Sequence, residues 1–598
     1  MVIPEHAEPT SQKRPHTRFT MELLTVAFLL LAGASSATNT SHYTNPILPG
    51  FHPDPSCIYV EELDQTFFCA TSTFTAFPGI PIHASKDLMN WKLASNVLNR
   101  REQLPSFANA PTGQDGIFAP TLRHHNGTFY LITTNVAISS YADFAMDNLI
   151  FTTTDPYNST AWSIPTAVPG FLGYDPSLFW DDDGTTYFVG AAATSTGTAI
   201  ALSAIDPATG RLIGNTTSYP YNGTGIGTSE GPHVYKRDGW YYILVAEGGS
   251  DRAHRGAVAR SRDVAGPYAN DPANPFVAVA DANSSYVQSV GHADLFHDAE
   301  GNWWGVALAT RSGPAFENYP MGRETVLFPV EWSEGGWPRV VGDVQGAMRG
   351  PLPPRNRGED MPGEGAWHDA PDVVDFAAGE ELPKHFLHVR FPDEAAYEVR
   401  EGSLRLTPSP RNLSAPLTSE TDVGKEITFV GRRQVDTLFT YSVDVAFDPE
   451  REEDEAGVAV YVDEGKHVDL GIVRDGEDGR RLRMRFFSTN NVTVPRDLTA
   501  SLPVGAEAGG LLRLEVKAAN LTHFTFSAGA VTEEADGDVR MAVVGAAEGS
   551  LVSGGYTGAL LGVYATTNGA VSNGTSKAYV SRWRYQGQGQ YIGGGQYA

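Results

Sequence analysis

The chain has 598 residues, far more than one ordinary domain of roughly 100–200 residues, so it holds two large folding units or one very large one. Lys and Arg number 43 against 70 Asp and Glu, and the resulting net charge of −27 repels a phosphate backbone, which excludes nucleic acid as a natural partner. Apolar residues at 41% and aromatics at 11% rule out a disordered chain, while 62 Gly and 39 Pro call for many turns between short strands.

The N-terminus reads as an address. Basic Lys13, Arg14 and Arg18 precede an apolar run over residues 23–34, too short to span a bilayer, and the small residues Ser35, Ser36 and Ala37 follow it. Residues 1–37 are therefore expected to be a secretory signal region, with Met21 as an alternative start, and the mature chain to be secreted and extracellular. No later segment reaches the ~18 consecutive apolar residues of a membrane helix, so no membrane partner is expected. Asn-x-Ser/Thr glycan acceptors at Asn39, Asn126, Asn158, Asn215, Asn222, Asn283, Asn412, Asn491, Asn520 and Asn573 agree with export. Cys57 and Cys69, the two cysteines, flank a polar turn and are either bonded to each other or two buried thiols.

Five similar blocks follow, each a short strand, a polar turn and a strand that opens on aromatic residues. They begin at Asp54 (DPSCIYVEELDQTFFCATS), Ala119 (APTLRHHNGTFYLITT), Asp175 (DPSLFWDDDGTTYFVGAA), Glu230 (EGPHVYKRDGWYYILVAE) and His292 (HADLFHDAEGNWWGVALA). Their leading aromatics, Phe67, Phe129, Tyr187, Trp240 and Trp303, recur at intervals of 62, 58, 53 and 63 residues. Alternating segments between the blocks leave room for two more strands each. Four antiparallel strands repeated five times make a five-bladed β-propeller, expected over residues 38–345, with a run of β-sandwich hairpins as the alternative. A Pro/Gly-rich and charged linker over 346–375 leads to a second all-β unit, a β-sandwich over 376–585. The acidic run 450–455 is expected to be a solvated loop, and the low-complexity tail 586–598 to be disordered.

In a propeller the first strand of each blade lines the central channel. The equivalent position is acidic in three of the five blocks, at Asp54, Asp175 and Glu230, so the repeat predicts three carboxyl groups at one mouth of the channel. Clustered carboxyls push one another's pKa values apart and so supply an acid beside a base. Glycoside hydrolysis needs that pair, one carboxyl to protonate the departing oxygen and one carboxylate on the other side of the sugar ring.

The strings NPILPGFHPDPS, TSTFTAFPGIPIHASKDLMNW, GYDPSLFWDDDG, SEGPHVYKRDGWYYILVAEGG, GHADLF and MGRETVLFPVEW, in this order, resemble glycoside hydrolase family 43, particularly its two-domain β-xylosidase and α-L-arabinofuranosidase members. Weaker similarity in GSLRLTPS, FVGRRQ and YTGALLGVY implies the jelly-roll-like C-terminal sandwich of those members. The resemblance implies an inverting, exo-acting hydrolase that releases terminal α-L-arabinofuranose or β-D-xylose from arabinoxylan or xylo-oligosaccharides. It makes Asp54 the general base, Glu230 the general acid and Asp175 the residue that keeps the acid protonated, with base and acid roughly 6.5–9.5 Å apart. It also implies that Phe74 walls the pocket and that His292 and Arg323 contact the sugar, with a core histidine and a partner of Asp175 as their respective alternatives. Phe118, Thr75, Ala76 and Tyr174, at the pocket mouth, depart from the common xylosidase pattern and favour an arabinofuranosyl branch.

Other signals carry less. Gly227, Ser229 and Gly231 match a nucleophile-elbow pattern, but a hairpin rather than a helix follows. There is no HExxH or CxxC, so no metal and no cofactor are expected, although family relatives sometimes hold a calcium ion near the position of His292. A carbohydrate-binding propeller without turnover and a retaining glycosidase of another five-bladed family are the competing functions.

Overall fold

The computed structural model describes residues 40–598 except 141–142, 195–196, 359, 415–425, 475–478, 507–509, 533–538 and 570–575. The expected signal region and the acceptors Asn39 and Asn573 lie outside the described residues. The protein is all-β: among the described residues, helix is confined to 3-10 turns of three to five residues, and no helix is long and apolar enough to cross a membrane.

Five antiparallel sheets follow one another, opening with Ser56–Val60, Gly116–His125, Gly173–Trp180, Glu230–Arg237 and Gln288–His297. Each adds its strands in chain order to a total of four, and the fourth sheet carries one further short strand, Val277–Ala278. The leading aromatics of the repeat stand at or next to the start of the second strands, Thr66–Ala70, Thr128–Ser140, Thr186–Thr194, Trp240–Glu247 and Trp303–Thr310. The five opening strands touch in cyclic order, the first meeting both the second and the fifth, so the sheets close into a ring. Cys57 and Cys69 face each other across the first hairpin and are disulfide-bonded.

The linker is more ordered than expected. It starts with Ala347–Gly350, paired to Ser41–Thr44, and then straps across the first sheet, where Leu93 N donates to Ala366 O and His368 N to Trp91 O. Its last residues, Asp372–Val374, already pair with Ala578–Gly589 of the second unit. That unit has two sheets. One runs from Tyr397–Arg400 through Ser403–Leu406, Ala578–Gly589, Leu438–Phe447, Leu512–Ala518 and His523–Ala530 to Ala542–Glu548. The other is ordered Thr428–Arg433, Leu560–Thr566, Glu455–Asp463, Lys466–Arg474, Arg480–Ser488 and Leu498–Ala500. Alternation puts Tyr441, Val443, Leu514, Phe526 and Trp583 from the first and Val458, Val460, Leu470 and Val563 from the second into one core. Each such side chain stabilises by about 1.5–3 kcal/mol on burial.

Two expectations fail in this half. The tail is not disordered: the strand Ala578–Gly589 runs on beyond residue 585, Gln590 and the carbonyl of Tyr591 accept from Arg311, and Tyr591–Gly593 pairs with Gln596–Tyr597. Low complexity does not prevent order when a neighbouring strand and a buried cation supply partners. The acidic run is not all solvated either, because Asp454 and Glu455 are buried and Glu455 pairs with Arg483 and Arg485.

A shared apolar cluster seats the two halves on each other. Phe51, Phe74 and Ala76 pack with Leu387, Val389, Phe429, Tyr461 and Leu560, and His388–Val389 pairs with Ala76–Phe77. Gly50 permits the closest approach: its φ is +84°, and a Cβ there would stand 2.4 Å from the carbonyl oxygen of Gln434.

Candidate active site

At the mouth of the ring the opening strands kink at one common place. Pairing breaks between Phe118 and Thr121, Tyr174 and Ser177, Glu230 and His233, and Gly291 and Asp294. At the break the backbone turns left-handed, at Ala119 (φ 36°), Asp175 (53°), Gly231 (57°) and His292 (49°), and Asp54 (52°) holds the matching position just before the first strand. Such bulges re-aim side chains, and each non-glycine residue held this way stores roughly 1–3 kcal/mol. The aligned register corrects one expectation. Glu230 is not equivalent to Asp54 and Asp175 but stands one residue earlier, beside Phe118 and Tyr174 in the repeat, and Gly231 fills the acidic position. Glycine is required there, since a Cβ would come within 2.8 Å of the His292 ring nitrogen Nε2.

The kinks nevertheless bring the predicted residues together. Asp54, Phe74, Phe118, Tyr174, Asp175, Glu230, His292 and Arg323 all line one pocket of about 220 Å³. Arg323 pairs with Asp54 (Nη1 to Oδ1, 3.1 Å), not with Asp175, and His292 Nδ1 lies 3.6 Å from the same oxygen. Ser72 donates its hydroxyl to Asp54 Oδ2 at 2.6 Å. Gly231 N donates to Asp175 Oδ2 at 3.0 Å, and the Tyr174 hydroxyl to Glu230 Oε2 at 3.2 Å.

Those partners pull the three carboxyls apart. Burial alone would raise Asp54, but the Arg323 guanidinium, His292 and the Ser72 hydroxyl outweigh it and hold the group below its ordinary value. Burial raises Glu230 to about 7, against the opposing Tyr174 hydroxyl, with the charge of Asp54 adding to the rise. Asp175 goes well up, first by burial and then by the charges of Glu230 and Asp54. Asp54 is thus the ionised member, while Asp175 and Glu230 hold on to protons. His292 is lowered by burial, against the opposing charge of Asp54, with Arg323 adding to the fall.

The sequence reading missed two parts of the site. The first is Tyr556, in the Gly-rich turn before Leu560–Thr566, which reaches the pocket from the C-terminal unit. Its ring stacks on Phe74 (centroids 5.9 Å apart, planes at 19°), its carbonyl accepts from Arg323 Nε at 3.1 Å, and the guanidinium lies 5.3 Å from its ring centre. An aromatic inside the string GGYTG was the available signal. The second is the layer just below the kinks, Ser56, Ser177, His233 and Asp294, two residues along each strand from the left-handed position. Asp294 accepts from Arg123 (2.8 Å), Ser56 (2.6 Å) and the Tyr235 hydroxyl (2.6 Å), and His233 meets Arg123 Nη2 at 3.0 Å. This floor does not fit a calcium ion. Arg123 already supplies the positive charge there, with both Asp294 oxygens turned to it, and His292 Nδ1 is turned to Asp54 Oδ1 at 3.6 Å. Among the described residues no group of three or more His, Cys, Asp or Glu is placed to hold a metal.

Comparison with known proteins adds an independent line. Residues 43–338 match the model of the glycosyl hydrolases family 43, and residues 373–586 that of the beta xylosidase C-terminal concanavalin A-like domain. The chain is 34% identical over 559 residues to a non-reducing end alpha-L-arabinofuranosidase of Bacteroides ovatus, covering 92% of this chain and 95% of the relative. It is 31% identical over 579 residues to a xylosidase/arabinosidase of Humicola insolens, covering 90% and 97%. The crystal structure of a xylan beta-1,4-xylosidase of Bacillus halodurans superposes with a TM-score of 0.76 at 30% identity, covering 91% and 99%.

Proposed function

The chain belongs to glycosyl hydrolase family 43, and from that premise we propose that it is an inverting, exo-acting glycoside hydrolase that removes terminal α-L-arabinofuranose or β-D-xylose from arabinoxylan or xylo-oligosaccharides. We read the closed ring of five sheets as a five-bladed β-propeller and the second unit as a jelly-roll-like sandwich. One observation carries the mechanism: three carboxyls, Asp54 and Asp175 buried and Glu230 half-buried, share a single pocket and are driven in opposite directions, Asp54 down and Glu230 up to about 7.

Glu230 gives its proton to the glycosidic oxygen as the bond to the anomeric carbon breaks. Asp54, ionised and clamped by Arg323, takes a proton from the water that attacks the opposite face. The pentose leaves with inverted configuration, and solvent returns the proton from Asp54 to Glu230. Asp175 acts through Glu230: two such close carboxyls cannot both ionise, so the pair resists losing the proton that the acid must deliver. A pocket of about 220 Å³ is smaller than the roughly 300–1,000 Å³ of a drug-sized site, which suits one sugar ring at a chain end. Phe74, Phe118 and Tyr556 offer apolar faces to that ring, with Tyr174, His292 and Arg323 as its polar partners.

Export fits the same reading, supported by the Cys57–Cys69 bond, which persists in oxidising surroundings, and by the exposure of Asn126, Asn222, Asn283, Asn491 and Asn520. The test is sugar release from arabinoxylan oligosaccharides with early-time NMR of the product anomer. Release of the inverted pentose, abolished in Glu230→Gln, is expected. Equal release by both proteins, or retention at the anomeric carbon, overturns the proposal. Nitrophenyl arabinofuranoside beside nitrophenyl xyloside identifies the pentose.

A further inference from the structure

A second cavity, of about 50 Å³, lies behind the segment that presents Asp54, where the first sheet, the linker strap and the sandwich meet. Its walls carry His52, His83, His368, Arg432 and Arg433. The ring centres of His52, His83 and His368 stand 4.9–6.1 Å apart, yet the three are not placed to hold a metal together. The charges argue the same way. Arg433 sits against His52, His83 and His368, and lowers all three after burial has done so. Arg432 is neutralised by Asp372, whose oxygens are also taken by His385 and Trp583. Arg433 has no such carboxylate among the described residues; its Nε donates to the Phe51 carbonyl at 2.8 Å, and its Nη2 has no partner. His83 Nδ1 is likewise buried without a partner, with His83 5% and Arg433 8% exposed. A buried cation and a buried ring nitrogen without a partner, beside one small cavity, are each costly to leave unmatched.

We propose that this cavity binds a small inorganic anion, a halide or small oxyanion, held by Arg433 Nη2 and the His83 Nδ1–H. The anion completes the charge of a seam that runs from the sandwich to the catalytic segment: Arg433 holds the Phe51 carbonyl, and His52, two residues before Asp54, packs in the same cluster. Burial, reinforced by Arg432, already pulls Arg433 down to about 9, which marks a guanidinium without a counter-charge.

Crystals of the whole chain grown in sodium bromide provide the direct test. A bromine anomalous peak within hydrogen-bonding distance of Arg433 Nη2 is expected, and a map with no peak there overturns the proposal. In solution, replacing gluconate by bromide or phosphate at constant ionic strength should raise Tm by roughly 2–4 °C, since a ligand that binds only the folded state stabilises by mass action. Arg433→Met should lose that shift, and His83→Leu serves if Arg433→Met does not fold. A native Tm indifferent to the anion, or an unchanged shift in a folded variant, also counts against it. Stabilisation by zinc and none by bromide would assign the histidines to a cation instead.

Discussion

Two layers of buried charge lie one above the other in the ring, and they are built on the same strands. In the upper layer Asp54, Asp175 and Glu230 share Arg323 as their one arginine, so burial and mutual repulsion drive two of the three carboxyls towards the protonated form. In the lower layer Asp294 takes Arg123, Ser56 and Tyr235 as partners and is held at about 2, while burial, with that arginine beside it, lowers His233 to about 3 and leaves it neutral. Burial is common to both. Compensation separates them: a matched charge locks the fold, whereas an under-matched one keeps a proton available for chemistry.

The sharpest break of the upper layer is Glu230→Gln, which should lower kcat on oligosaccharides by roughly 10³-fold, within the usual range for a positioned general acid. A nitrophenyl glycoside, whose leaving group needs little protonation, should lose far less, and a uniform loss on both substrates would deny Glu230 the acid role. The corresponding break of the lower layer is Arg123→Met. It strands Asp294 and should cost about 3–5 kcal/mol of stability by denaturant titration, most of it restored in the Arg123→Met, Asp294→Leu double variant. No restoration would mean the two residues do not act as a matched pair.

Tyr556→Ala tests whether the sandwich contributes to the upper layer. Losing one aromatic wall should raise KM about two- to tenfold, an effect of roughly 0.5–1.5 kcal/mol, with the pH profile unchanged. Smallest is Tyr174→Phe. Native activity should fall as pH rises through about 7, where Glu230 loses its proton, and at the acid end only below the ordinary carboxylate range, where Asp54 gains one. The Tyr174 hydroxyl favours ionised Glu230, so removing it should move the alkaline limb upwards by about half a pH unit to one. A downward move would place the hydroxyl on the protonated acid instead.

Much of this was legible in order along the chain. The recurrence from Phe67 to Trp303 marked five hairpins, and the acidic residues at the block starts marked the pocket, because repeats place like positions at like heights in a closed ring. Glu230 was placed one residue out of register, since a bulge adds a residue that no spacing count can assign to one strand or the other. The tail was misread because composition reports the capacity of a segment to fold alone, and residues 586–598 fold against Leu438, Phe439 and Arg311. Asp294 and Arg123 are ordinary letters within HADLF and TLRHH; their pairing crosses 171 residues.

Local patterning by itself determined the strands, the repeat and the three carboxyls, because alternation and turn residues act over a few positions. Only the closed ring decided which carboxyl meets Arg323, which keeps its proton and which stands over a compensated floor. Those outcomes depend on distances between charges in a dry interior, and only the tertiary contacts among the five sheets, the strap and the sandwich set such distances.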